Sequence, residues 1–261
     1  MMKKVSPIAV ATLAVLTIVS ACAPAPQPTP DEDAINTAVA QTVVAMPTQA
    51  PPPTSTPTPE PQPTPVPGDP AVSLGPPDGR DTFDNPNSWN WSYFDNTCFK
   101  NEISGGKFLM EAKGLVGTAC WTLSWPEVED YYVETSAVMP SACAPDDRFG
   151  FIFRAPDNDR GYLFGLACDG SYSLTAWTGE TTLVIVPVAR NDVIQTAAGS
   201  VNRMGLLVQG DTLTLYMNGV EVASATDDTF PDAGKIGYFI RAATDQPFVS
   251  AYNEIALWVL E

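Results

Sequence analysis

The chain has 261 residues with 30 acidic and 13 basic side chains, a formal charge of −17, and no histidine. That balance argues against nucleic acid and anionic membrane surfaces as direct partners. The missing histidine excludes Ser-His and Cys-His catalysis and every histidine-ligated zinc site.

The first segment carries Lys3 and Lys4 followed by an apolar run from Ile8 to Val19. The run is too short and too early for an ordinary spanning helix, and residues 1–21 read as an export signal. Val19-Ser20-Ala21-Cys22 resembles the lipobox of bacterial lipoproteins. The resemblance implies that Cys22 is lipidated and becomes the mature N-terminus, tying the chain to the extracytoplasmic face of a bacterial membrane. Two or more acyl chains, at about 0.8 kcal/mol per methylene, make such an anchor stable. The alternative is an ordinary signal peptide cleaved ahead of a cysteine.

Residues 22–70 form a linker. Of the 26 prolines in the chain, 15 lie between Ala23 and Pro70, so this stretch cannot bury a core and favours an extended polyproline stalk of about 3.1 Å per residue. Within it, Ile35, Ala38, Val39, Thr42 and Val43 follow helical spacing behind Asp31 as a cap. One short helix and plain disorder both fit that pattern.

The domain spans 71–261 and reads as strands over 81–84, 89–94, 98–103, 107–113, 118–124, 129–139, 148–154, 161–168, 171–177, 182–188, 201–209, 212–217, 220–225, 235–242 and 247–259. Its clearest part is a meander from Val201 to Ala225. Gly210-Asp211 suits a type II′ turn and Asn218-Gly219 a type I′ turn, so both force antiparallel neighbours. Leu213, Leu215 and Met217 alternate with Thr212, Thr214 and Tyr216, which gives one dry face and calls for a second layer. An all-β sandwich of two antiparallel sheets follows. Cys98, Cys120, Cys143 and Cys168 suit two disulfides in an oxidising compartment. Three pairings exist, and Cys98–Cys120 with Cys143–Cys168 is expected because the strands ending at Cys143 and Cys168 point to the same rim. Four free thiols are the alternative, while a zinc site lacks any C-x2-C pair.

Several segments recur in a characteristic order: Asp81-Thr-Phe-Asp84 with Trp89, Tyr131 to Val138, Gly150-Phe-Ile-Phe-Arg154, Tyr162-Leu-Phe-Gly165, Asp169 to Leu174, Leu213 to Val220, Gly234-Lys-Ile-Gly237 and Tyr252-Asn-Glu-Ile255. Together they resemble a laminin-G/concanavalin A-like jelly roll, close to the 3-keto-disaccharide hydrolase-like family and to family 16 glycoside hydrolases. The resemblance implies two curved sheets whose concave face binds carbohydrate. It fails at the catalytic strand, because no E-x-D occurs in 71–261 to place alternate carboxylates on one face. The nearest cluster, Glu127, Glu129, Asp130 and Glu134 after Trp125-Pro126, reads as a solvated turn. Related folds use an aspartate near the last strand to hold calcium, and this chain has Asn253 there. Calcium is the one cofactor left open, through Asp146-Asp147 or Asp227-Asp228 in loops; solvated loops are the alternative.

Alternation puts Phe149, Phe151 and Phe153 on one face and leaves Arg154 on the other, with Glu134, Trp177 and Tyr216 on the polar sides of their own strands. A sheet face carrying Glu134, Arg154, Trp177 and Tyr216 suits sugar, since aromatic rings cover the C–H side of a pyranose and polar groups bind its edges. The alternative is a cross-strand Glu134–Arg154 ion pair with the aromatics as packing. Trp121, Leu123 and Trp125 share a face, and these with Trp258 read as core. The expected protein is a membrane-anchored, non-catalytic glycan binder, with a carbohydrate-active enzyme and an envelope protein-interaction module as rivals.

Overall fold

The computed structural model describes residues 66–260. The export signal, Cys22 and the Asp31–Met46 segment lie outside the described residues. Inside them the chain forms a four-residue helix α1 (Pro70–Ser73) and fourteen strands: β1 (Gly79–Asp81), β2 (Phe99–Ile103), β3 (Phe108–Ala112), β4 (Ala119–Val128), β5 (Tyr131–Val138), β6 (Arg148–Ala155), β7 (Gly161–Ala167), β8 (Ser171–Trp177), β9 (Thr182–Arg190), β10 (Val201–Gln209), β11 (Thr212–Met217), β12 (Val220–Thr226), β13 (Gly234–Arg241) and β14 (Phe248–Val259). They build two sheets. One runs β12-β11-β10-β5-β14-β3-β2 with β1 on β14, and the other runs β4-β13-β6-β7-β8-β9.

The meander falls as the turn chemistry dictates. Gly210 has φ 55°, and Asn218 and Gly219 have φ 53° and 81°, the positive values that the two hairpin turns need. Thr212 pairs with Gln209 and with Thr226, so β11 sits between β10 and β12. Leu213, Leu215 and Met217 then point inward and join Phe149, Phe151 and Phe153 of the opposite sheet in one core cluster. Each such buried side chain contributes roughly 1.5–3 kcal/mol. An aromatic column crosses the interior: Trp91 stacks on Tyr238 of β13 at 5.2 Å, and Tyr238 stacks on Tyr252 of β14 at 3.9 Å.

Both expected disulfides form. Cys98, just before β2, bonds Cys120 of β4 with Cα atoms 6.2 Å apart, and Cys143 bonds Cys168 across the rim at 6.3 Å. The first ties one sheet to the other. Four boundaries differ from expectation. β1 ends at Asp81, where a strand over 81–84 was expected to begin. Residues 89–94 are not a strand: Ser88–Asn90 form a 3-10 turn with Trp89 at φ 54°, as befits an Asn-rich stretch. β4 continues through Trp125 and Pro126 to Val128, where a turn was expected. Packing starts ahead of Ala71, for Asp69 caps α1 by accepting from Ala71 N at 3.1 Å and is itself buried.

Candidate functional site

The outer face of the six-stranded sheet holds a cavity of about 590 Å³. Its floor follows from strand alternation. Trp121 from β4, Phe239 from β13, Leu163 from β7 and Trp177 at the end of β8 all point outward, giving an aromatic floor between Ser173, Thr175 and Thr182 on one side and Gly117 and Thr118 on the other. Trp121 is fixed at its edge, where its indole N–H donates to the carbonyl of Asn158 at 2.9 Å. Ring faces and hydroxyls on one rigid sheet are the chemistry that a saccharide needs.

Two arginines complete the site. Arg148 of β6 and Arg241 of β13 are Cα partners across their strand pair, and both line the cavity. Arg148 reaches over β7 and donates to the hydroxyl of Ser173 on β8. It can do so because Gly165 lies beneath it: a Cβ there would stand 2.6 Å from Cγ and 2.7 Å from Cδ of Arg148. Arg241 donates from Nε to the carbonyl of Gly117 at 3.1 Å. Burial first, and then the Arg241 charge, hold Arg148 below the ordinary arginine value.

The structure divides the four residues expected to share one face. Trp177 lines the cavity. Glu134 and Tyr216 belong to the other sheet, whose outer face is covered by the α1 segment: Tyr132, Tyr216, Ala256 and Trp258 form a cluster there with Ala71 and Leu74. Glu134 accepts from the Tyr132 hydroxyl at 3.0 Å and pairs with Arg203 at 3.5 Å, while Arg203 also pairs with Asp69. Its carboxyl is pushed above the usual range by burial, against the pull of Arg203 and Tyr132. The ion pair of Glu134 with Arg154 does not form, because the two stand in different sheets.

Arg154 is a correction to the face assignment. β6 carries one extra residue relative to β13, since Lys235 faces Ala155 while Gly237 faces Ile152, and Arg154 takes φ 44° at this bulge. The bulge swings its side chain to 0% exposure. There it donates to the carbonyls of Glu129 at 2.9 Å, Pro231 at 3.0 Å and Phe230 at 3.2 Å, and to Asp130 at 3.5 Å. It staples two loops and does not face the cavity.

The tryptophans are also redistributed. Trp121 and Leu123 lie on the outer face and Trp125 is 66% exposed, so the trio is not core. Trp258 is buried, but under the α1 segment, donating its N–H to the carbonyl of Gly75 at 2.8 Å. Sequence alternation therefore missed Trp121, Phe239, Arg148 and Arg241.

Of the residues named for calcium, Asp147, Asp227 and Asn253 are already engaged within the protein. Asp147 accepts from the backbone N–H groups of Ala144 at 2.6 Å and Ala243 at 2.7 Å, and Asp227 accepts from the Tyr162 hydroxyl at 2.5 Å and Thr229 N at 3.0 Å. Asn253 accepts from the ammonium of Lys107 at 2.9 Å, so its side-chain oxygen is already committed to a positive charge. Among the described residues there is no group of three or more His, Cys, Asp or Glu arranged to hold a metal.

No family model and no curated protein match the chain. Solved structures do. The carbohydrate-binding module CBM66 from Bacillus subtilis superposes with a TM-score of 0.52 at 16% identity, over 66% of this chain and 97% of that one. The beta-glucanase of Bacillus licheniformis superposes with a TM-score of 0.52 at 13% identity, over 72% of this chain and 99% of that one. The fold is a concanavalin A-like jelly roll. The GH43 protein BlXynB from Bacillus licheniformis shares it, with a TM-score of 0.54 at 10% identity over 70% of this chain, which spans only 39% of that protein. On this jelly roll the cavity occupies the outer face of one sheet, lined mostly by strand residues, with Gly117 and Thr118 from the loop before β4.

Proposed function

We propose that the chain is a carbohydrate-binding protein whose groove is the face carrying Trp121, Trp177 and Phe239, and that it is held on the extracytoplasmic side of a bacterial membrane by a lipid on Cys22 and a proline-rich stalk. The single observation that carries the binding reading is the aromatic floor flanked by Ser173 and Thr175 in one 590 Å³ cavity. The shared jelly roll with a carbohydrate-binding module and a beta-glucanase supports it. Pyranose rings stack through their C–H faces on indole, while hydroxyls and guanidinium groups bind their edges. Many copies on one membrane would add avidity to modest single-site affinity.

A glycosidase on this face would need two carboxyl groups about 5–9 Å apart. The residues lining the cavity include none, which favours docking over cleavage. The test is a glycan array probed with the full chain and with Trp177→Ala. Binding that the folded variant loses supports the reading. A wild-type chain that is folded and binds no glycan refutes it.

A further inference from the structure

The protein has seven arginines, and five of them pair with carboxylates: Arg80 with Glu254, Arg154 with Asp130, Arg160 with Asp157, Arg190 with Asp169, and Arg203 with Asp69 and Glu134. The two left are Arg148 and Arg241. They face each other across β6 and β13 inside the groove, and among the described residues neither forms an ion pair. In a chain with 30 acidic residues this exception is costly. Like charges directly opposite on an antiparallel pair destabilise it. The cost is higher because Arg148 is half-buried and its Nε has no hydrogen-bond partner. Asp169 already holds Arg190.

From this placement we infer that the groove takes an anionic saccharide, whose carboxylate or sulfate ester bridges Arg148 and Arg241 while its ring lies on the aromatic floor. The inference rests on the groove being a glycan site and names the class of glycan. A guanidinium fork matches the planar oxygens of a carboxylate or the paired oxygens of a sulfate, and two forks side by side can share one anion. The hydrogen bonds to Ser173 and Gly117 fix the two side chains before the ligand arrives, so little ordering remains to be done. A formal charge of −17 repels polyanions in general, so binding of one points to a local site and not to a diffuse field.

The experiment compares matched probes on the full chain: polygalacturonate with its carboxyl-reduced neutral counterpart, and dextran sulfate with dextran, by affinity electrophoresis and calorimetry. At least one charged probe is expected to bind more than 10-fold tighter than its neutral partner, with an affinity that falls as salt is added. Which pair shows it separates carboxylate from sulfate. Arg241→Gln should weaken that binding by roughly 10-fold or more, whereas Arg80→Gln, which removes one positive charge on the other sheet, should not. Arg241→Lys, keeping the charge without the fork, should recover only part of it. Equal affinity for charged and neutral partners, equal losses in Arg241→Gln and Arg80→Gln, or no binding of either charged probe would overturn the inference. Neutral binding that is lost in Trp177→Ala but indifferent to Arg241→Gln would overturn it while leaving the glycan reading standing.

Discussion

Arg154→Ala is expected to unfold the domain far more readily without removing a ligand contact. The guanidinium is fully buried and reaches the Phe230 and Pro231 carbonyls on one side and the Glu129 carbonyl and Asp130 on the other. Glu129 and Pro231 are exposed and can turn to water after truncation. The Phe230 carbonyl lies beside a buried ring and cannot do so as easily. One stranded acceptor, the loss of the charge-assisted bonds and the vacated volume together cost about 3–5 kcal/mol. At about 2–4 °C per kcal/mol for a domain of this size, the melting temperature should fall by roughly 6–20 °C. Arg154→Lys should rescue little, since one ammonium cannot span acceptors on two sides. Thermal melts of both variants, followed by circular dichroism, decide this. An alanine variant that melts within about 2 °C of wild type would show that the staple is not structural, and a folded alanine variant that alone loses glycan binding would return Arg154 to the site.

Two further outcomes follow from the same contacts. Gly165→Ala places a methyl 2.6 Å from Arg148 Cγ and 2.9 Å from Phe239 Cζ, so it should cost about 1–3 kcal/mol by overpacking; an unchanged melt would mean that Arg148 does not lie on that glycine. Glu134 has its carboxyl raised above the usual 4.5 by burial, partly offset by Arg203 and Tyr132. The folded state therefore holds the proton more tightly, and the stabilisation that this gives is full below about 4.5 and is lost as pH rises through the higher folded value. Glu134→Gln lacks that component, so its melting temperature should improve relative to wild type as pH rises from about 4 to 7. Parallel wild-type and variant profiles across that window would refute the assignment.

The two-layer fold was legible because turns and alternation agreed. Asn218-Gly219 accepts positive φ at both positions, so β11 and β12 had to pair, and the dry set Leu213, Leu215 and Met217 fixed which face was inside. The groove was not legible, and β4 shows why. Its outward set, Trp121, Leu123 and Trp125, is the more apolar one. Its inward set is Cys120, Thr122 and Ser124, which a simple hydrophobic reading sends to solvent. The inversion is stable because Thr122 donates to the Ser92 carbonyl at 2.9 Å and Ser124 to the Trp89 carbonyl, so these buried hydroxyls serve the irregular 88–94 segment. Arg154 escaped for a different reason, since a bulge breaks the period of two and no glycine announced it.

The signal that resolves β4 lies in its cysteine. Once Cys98, at the start of a strand in one sheet, is paired with Cys120 in the other, the bond must cross the interior, and Cys120 has to point inward. A period of two then turns Trp121 outward whatever its hydropathy. Trp121 is thereby forced onto the same face as Phe239 and Arg241 of the neighbouring strand, whose register sets Phe239 opposite Trp121 and Arg241 opposite Ala119. Covalent pairing and strand parity, taken together, place an indole and a guanidinium on the outside of a sheet where hydrophobicity alone would bury the first. Trp121 is therefore half-buried on the outer face, packed against Phe239 and Leu163, by strand geometry and not by its own hydropathy.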